Sequence, residues 1–113
     1  MIHIYLDDYR ACPKGFVHAR NAEECVMLLK AFEVDVLSLD YDLGWGQPNG
    51  MSVANYIVSS GNYPKRIYFH TSSSGGRQTM YQALYPGKPD HTALFNGPMP
   101  AEILMEVAES DQE

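Results

Sequence analysis

The chain has 113 residues, of which 45% are hydrophobic and 19% charged, the composition of one globular domain able to fold without staples. A net charge of −6 argues against a surface that tracks duplex DNA, and no apolar run approaches membrane-spanning length. Cys12 and Cys25 are too few for a disulfide framework, and the N-terminus lacks the basic and apolar regions of a signal peptide, so a reducing, cytoplasmic setting is expected.

In chain order the first predicted element is a strand over residues 2–6, free of charge until Asp7 and Asp8 end it. The connector YRACPKG leads through Gly15 to a short strand at about Phe16–Ala19. Asn21 with Glu24 three residues on is a capping-box helix start. Ala22, Val26, Leu29 and Phe32 then recur at helical spacing, widened by Cys25 and Leu28. The run VDVLSLD reads as a buried parallel strand, closed by Asp40 and Asp42. After the loop GWGQPNG a helix carries Met51, Ala54, Ile57 and Val58 and stops at Gly61. A fourth strand covers Arg66–His70. The TSSSGGR stretch is expected as a loop opening a short helix through Met80 and Leu84, which Pro86, Gly87 and Pro89 break. Thr92–Phe95 gives a fifth strand. Pro100 opens a last helix with Ile103, Leu104 and Val107 facing inward. One domain spans residues 1–109, and 110–113 form a polar tail, the end of a stretch AESDQE expected to fray.

Strands alternating with helices imply an α/β, flavodoxin-like three-layer sandwich around a mostly parallel five-stranded sheet. Ligands of such sheets bind beyond the carboxyl ends of the strands, and Asp7, Asp8, Asp40, Asp42 and His70 all arrive there. Four carboxylates in one place raise one another's pKa and call for a cation. Mg²⁺ or Mn²⁺ is the expected cofactor, since Mg²⁺ needs only one or two carboxylates with water and substrate phosphate. His70, beside a Ser/Gly loop, is the candidate proton donor or acceptor; a half-buried structural histidine is the plainer reading. Arg77 follows a glycine pair at a helix start, where its guanidinium and free N–H groups would face an anion, with Thr71, Ser72 and Gly76 beside it. Arg10 either neutralises the acid pair or reaches phosphate. Trp45 either stacks on a base or closes its loop over the core.

Asp7–Asp8 at the end of the first strand, Asp35 five residues before Asp40, and Gly50 beyond resemble the receiver domain of two-component response regulators. That resemblance implies a metal pocket of Asp7, Asp8 and Asp40. Three features depart from it. The first receiver helix is replaced by YRACPKG, Asn96 stands at or near the receiver's strand-five lysine, and His70 precedes Thr71 where a receiver has only a hydroxyl residue. The blocks IYLDDYR with a following P-x-G, SLDYDLG and HTSSSGGRQTM are similar to a second, nearer family, the cyclic-phosphate processing receiver-like domains. Those read like IYLDD-x-R, SLDHDLG and HSAN-PVGR-x-NM. Tyr41 replaces the usual His, and Ser73 and Thr79 replace the usual Asn.

The residues and the resemblance together point to a metal-dependent phosphoesterase acting on a cyclic nucleotide or a cyclic-phosphate RNA end, with His70, Asp40 and Arg77 as the expected catalytic residues. A non-catalytic receiver-like module that binds metal or nucleotide is the alternative. The missing helix also leaves one sheet face short of cover. A homodimer through that face is expected, unless Pro13, Phe16 and the 85–89 loop fold over it.

Overall fold

The structure is a computed structural model that describes residues 1–110. Five strands, β1 (Ile2–Leu6), β2 (Val17–Ala19), β3 (Val34–Leu39), β4 (Arg66–Phe69) and β5 (Ala93–Leu94), form one sheet. All neighbours are parallel, in the order β2-β1-β3-β4-β5. This is the doubly wound order of flavodoxin-like folds, with its switch between β1 and β3. Four helices complete it: α1 (Ala22–Ala31), α2 (Gly50–Ser60), α3 (Ser74–Leu84) and α4 (Ala101–Ser110). None is long and apolar enough to cross a membrane.

Caps fix where the helices begin. The Asn21 side chain accepts the Glu24 N–H at 2.8 Å, and Glu24 accepts the Arg20 N–H at 2.8 Å. Asn49 likewise accepts from Met51 N at 2.9 Å. Each asparagine oxygen satisfies a donor that the first helical turn would leave orphaned. Phe32 leaves α1 in an extended conformation and is 52% exposed, so it ends the helix instead of extending the apolar stripe. Val58, one of the apolar residues carried by α2, is also exposed. The predicted Ser/Gly loop ends early. Ser73 accepts from Gly76 N at 3.0 Å, so Ser74, Gly75, Gly76 and Arg77 already lie in the first turn of α3. At the other end α4 runs through Ser110, taking in residues of the stretch expected to fray; residues 111–113 lie outside those described.

The main core packs α1, α2 and α3 on one sheet face around Ile4, Leu6, Leu37, Leu39, Ile67 and Phe69. The other face is thinner, with Val36, Tyr68 and Val107 buried and Phe16, Met99 and Ile103 packed against them. No helix joins β1 to β2, as the sequence implied. The connector closes the gap instead. Phe16 sets its ring edge-on to Tyr5 at 6.1 Å, and Gly15 lies so close to α4 that a Cβ there would come within 2.5 Å of the Val107 carbonyl oxygen. Arg66 pins α4 from the other side, bonding Asp35 at 2.9 Å and Glu106 at 2.6 Å.

Tyr5 and Tyr68 on this face are only 6% and 3% exposed. The bare apolar face from which a homodimer was expected is therefore absent among the described residues, because Phe16, Met99 and α4 cover it. The 85–89 turn plays no part, since Gly87 sits beside Tyr63 instead. That cover favours the monomer alternative as the expectation. Light scattering at micromolar concentration should give a mass near 12.7 kDa, and a mass near twice that would restore the dimer.

Candidate metal centre

Strand register builds the site. Leu6 pairs with Leu39, and Leu39 pairs with Phe69, so the next residues, Asp7, Asp40 and His70, form one row across β1, β3 and β4. The ladder continues into that row, with Asp40 N donating to Leu6 O at 3.1 Å and His70 N to Leu39 O at 3.0 Å. One ligand-capable atom from each of Asp7, Asp40 and His70 lies within 4.8 Å of the other two. Asp7 is fully buried, Asp40 is 6% exposed, and buried carboxylates of this kind are rare unless paired.

Asp7 is well paired. Its Oδ1 accepts the N–H groups of Tyr9 and Arg10, both at 2.8 Å. Its Oδ2 accepts from Arg10 Nη1 at 2.9 Å and from His70 Nε2 at 2.9 Å. Burial pushes the carboxyl up, but these four hydrogen bonds outweigh it and hold its pKa down to about 2. Asp40 goes the other way. Burial and the charge of Asp7 raise its pKa against the opposing hydrogen bonds from the Thr71 hydroxyl and Tyr41 N–H. Arg10, its side chain 43% exposed, lies 3.6 Å from Asp40 and is, among the described residues, the one cation that touches both acids.

His70 has no free ring nitrogen. With Nε2–H donated to Asp7, Nδ1 is the acceptor for the Ser38 hydroxyl at 2.6 Å. Tyr5 stacks on the ring at 4.2 Å with planes 6° apart. Burial lowers the imidazole pKa against the pull of Asp7, so the ring is neutral at neutral pH. Proton transfer from this ring to a leaving oxygen would first require Nε2 to give up Asp7. In the arrangement found, the imidazole locks the Asp7 carboxylate in place.

The remaining predicted residues divide into two groups. Asp8 and Asp42 are exposed and, with Asp7, Tyr9, Arg10, Asp40, Trp45 and Ser72, line a cavity of about 460 Å³. The four aspartates thus do meet, two buried at the floor and two at the rim. Thr71 stays by Asp40 and accepts the Ser73 N–H at 3.1 Å. Gly76 and Arg77 do not line the cavity. Gly76 is buried beneath Tyr41, whose ring occupies the space a Cβ would need. Arg77 has a buried Nε with no hydrogen-bond partner. Sequence reasoning missed Ser38 and Tyr5, the two supports of His70. The available signal was Ser38 itself, one polar residue inside an apolar strand and two positions before Asp40, hence on the same side of the sheet.

A family model for the cyclic-phosphate processing receiver domain matches residues 2–86. The chain belongs to this family. Among curated proteins none matches it. The matched stretch of this receiver domain holds every residue of the carboxylate row and its cavity, whereas β5 and α4 lie beyond it. Asn96, read from the sequence as standing at or near a receiver's strand-five lysine, is exposed just past β5. The positive charge at the centre of this receiver domain comes instead from Arg10, on the loop after β1.

The donor set suits a hard divalent ion. Two buried carboxylates, with two more at the rim, offer the oxygens that Mg²⁺ and Mn²⁺ take. The raised pKa of Asp40 marks negative charge that Arg10 only partly offsets. A cation there would relieve it.

Proposed function

We propose that this receiver domain is a metal-dependent phosphoesterase that opens a cyclic phosphate carried by a nucleotide or an RNA end. The observation that carries the reading is the row of Asp7 and Asp40, buried side by side on adjacent strands at the floor of an open cavity. Asp7 and Asp40, with Asp8 and Asp42 at the rim, are the residues that would hold Mg²⁺ or Mn²⁺. Bound there, such an ion would polarise the phosphoryl group and lower the pKa of a water.

The chain's own residues do the rest. Arg10 and Ser72 line the cavity and grip the phosphate oxygens; Arg77, away from the cavity wall, has the lesser part. Water adds to phosphorus, one ring P–O bond breaks, and the proton of that water ends on the freed hydroxyl, leaving a phosphomonoester. His70 is a positioning residue, holding Asp7 at the angle that Ser38 and Tyr5 impose on its ring.

The test is hydrolysis of 2′,3′-cyclic and 3′,5′-cyclic nucleotides with and without Mg²⁺ or Mn²⁺. Turnover that depends on metal is expected for one of the two classes, and no turnover of either would favour a binding module without catalysis. His70→Gln keeps an N–H that can reach Asp7, so its rate should stay within about tenfold of the parent. A true proton shuttle would lose roughly 10²–10⁴-fold and its limb of the pH–rate profile. A loss of that size in His70→Gln would return His70 to the acid–base role.

A further inference from the structure

We infer that Trp45 and Tyr9 form a stacking platform for an unpaired nucleobase, so that the cyclic phosphate taken by the carboxylate cavity is borne by a nucleoside. The inference rests on the proposed reading of that cavity as a cyclic-phosphate site.

Trp45 is 100% exposed and Tyr9 92% exposed, the two most solvent-accessible large apolar side chains among the described residues. Both line the cavity that Asp7, Asp8, Asp40 and Asp42 surround. Neither ring packs against another aromatic side chain among the described residues, although seven such pairings occur elsewhere. The rings therefore contribute nothing to the core, and the plainer expectation, that Trp45 closes its loop inward, is not met.

Local backbone explains the outward aim. Trp45 stands between Gly44 at φ +109° and Gly46 at φ +76°, conformations that L side chains rarely adopt. The double left-handed turn keeps the indole out of the fold. Gly44 N–H bonds the Asp42 carboxylate at 3.1 Å, which ties the turn to the rim of the acid cavity. Tyr9 is placed as firmly from the other side of the sequence, its N–H fixed on Asp7 at 2.8 Å. Two exposed rings are thus anchored through their own backbones to the residues that would meet phosphate.

Electrostatics narrows the ligand further. A bare phosphate approaching four carboxylates meets repulsion that one arginine, Arg10, offsets only in part. A base stacked on uncharged rings supplies affinity that the acids do not oppose. Purines, with the larger π surface, should be preferred over pyrimidines.

Because Trp45 is the sole tryptophan, emission excited to the red of tyrosine absorption reports on this residue alone. With Mg²⁺ present, 2′,3′-cyclic AMP should quench it saturably, whereas the base-free glycerol 1,2-cyclic phosphate should bind, by calorimetry, without quenching. Trp45→Ala and Tyr9→Ala should each weaken 2′,3′-cyclic AMP by roughly five- to 150-fold, the range expected for loss of one stacking partner. Neither should change affinity for the base-free ligand, and Trp45→Phe should recover most of the loss. Both side chains are in solvent, so these variants fold. Binding of 2′,3′-cyclic AMP with unchanged fluorescence, or with equal affinity in Trp45→Ala and Tyr9→Ala, would overturn the platform and leave the cyclic-phosphate site standing. Failure of both ligands to bind would overturn that site and the platform with it.

Discussion

Asp40→Asn is expected to raise the melting temperature of the metal-free protein and to abolish the further rise that Mg²⁺ or Mn²⁺ gives the parent. The two halves of that result come from one cause. Asp40 has its pKa raised in the fold by burial and by the charge of Asp7, so its ionised form binds protons less readily unfolded than folded. In its ionised form Asp40 therefore weakens the metal-free fold. Asparagine keeps an oxygen for the Tyr41 N–H, which Asp40 now accepts at 2.8 Å, and removes the charge. The same charge is what a divalent ion would use. At a metal concentration of about 100 times Kd, mass action stabilises the parent by about 2.7 kcal/mol, on the order of 10 °C for a domain of this size. Scanning calorimetry of both proteins, with metal and with chelator, decides it. A variant that melts below the parent without metal, or that keeps the metal-induced rise, would contradict the argument.

The opposite sign is expected one strand away. Asp7→Asn should destabilise the metal-free protein by about 2 kcal/mol, because a carboxyl held near a pKa of about 2 against 3.8 unfolded stabilises the fold by that order. The amide would also turn a donor towards the donors Arg10 Nη1 and His70 Nε2, so the loss is a lower bound. The sign with pH follows from the depressed value. The stabilisation from Asp7 is complete above the unfolded pKa and fades as pH falls through it towards about 2. Urea melts of parent and variant should therefore differ most at neutral pH and converge on acidification. Equal stabilities at pH 7, or a gap that does not narrow, would show that the hydrogen bonds around Asp7 carry no net stability. Adjacent, buried and identical in type, the two aspartates differ in the donors aimed at them: Tyr9, Arg10 and His70 supply four to Asp7, whereas Asp40 has the Thr71 hydroxyl and the Tyr41 N–H.

Much of this was legible in the chain because the signals are local. Strand ends marked by Asp7 and Asp40, the Asn21 cap and the stop at Gly61 each depend on a few neighbouring residues, and each appears where the pattern implied. The three sequence blocks also led to the family that the match over residues 2–86 shows. What escaped depends on contacts between distant segments. The row of Asp7, Asp40 and His70 needs the pairing of Leu6, Leu39 and Phe69, and parallel register is set by tertiary packing, with an irregularity in β1–β3 between Ile2 and Ile4. His70 looked free because nothing in its own segment announces Ser38 or Tyr5, 32 and 65 positions away, as partners. Arg77 was placed at the anion site because two glycines suggested a loop. Ser73 capped the helix earlier, and the arginine was carried into its first turn. The face expected to be bare was closed by Phe16, a residue whose orientation only the folded connector defines.

The helix-free link between β1 and β2 also bears on how the molecule comes together in time. Ile4 pairs with Val17, whereas its partner across β3 is Leu37, and Ile67 must find Leu94. Closing the first of these loops costs less chain entropy than closing the others, by about 0.7 kcal/mol on logarithmic scaling, and short-range pairings form fastest. The β1–β2 pair is thus the natural first ladder. The bond from His70 to Asp7 spans 63 positions and is among the least local in the molecule. Like-charged carboxylates therefore meet only after hydrophobic collapse has brought the three central strands into line, when there is enough structure in place to hold them together.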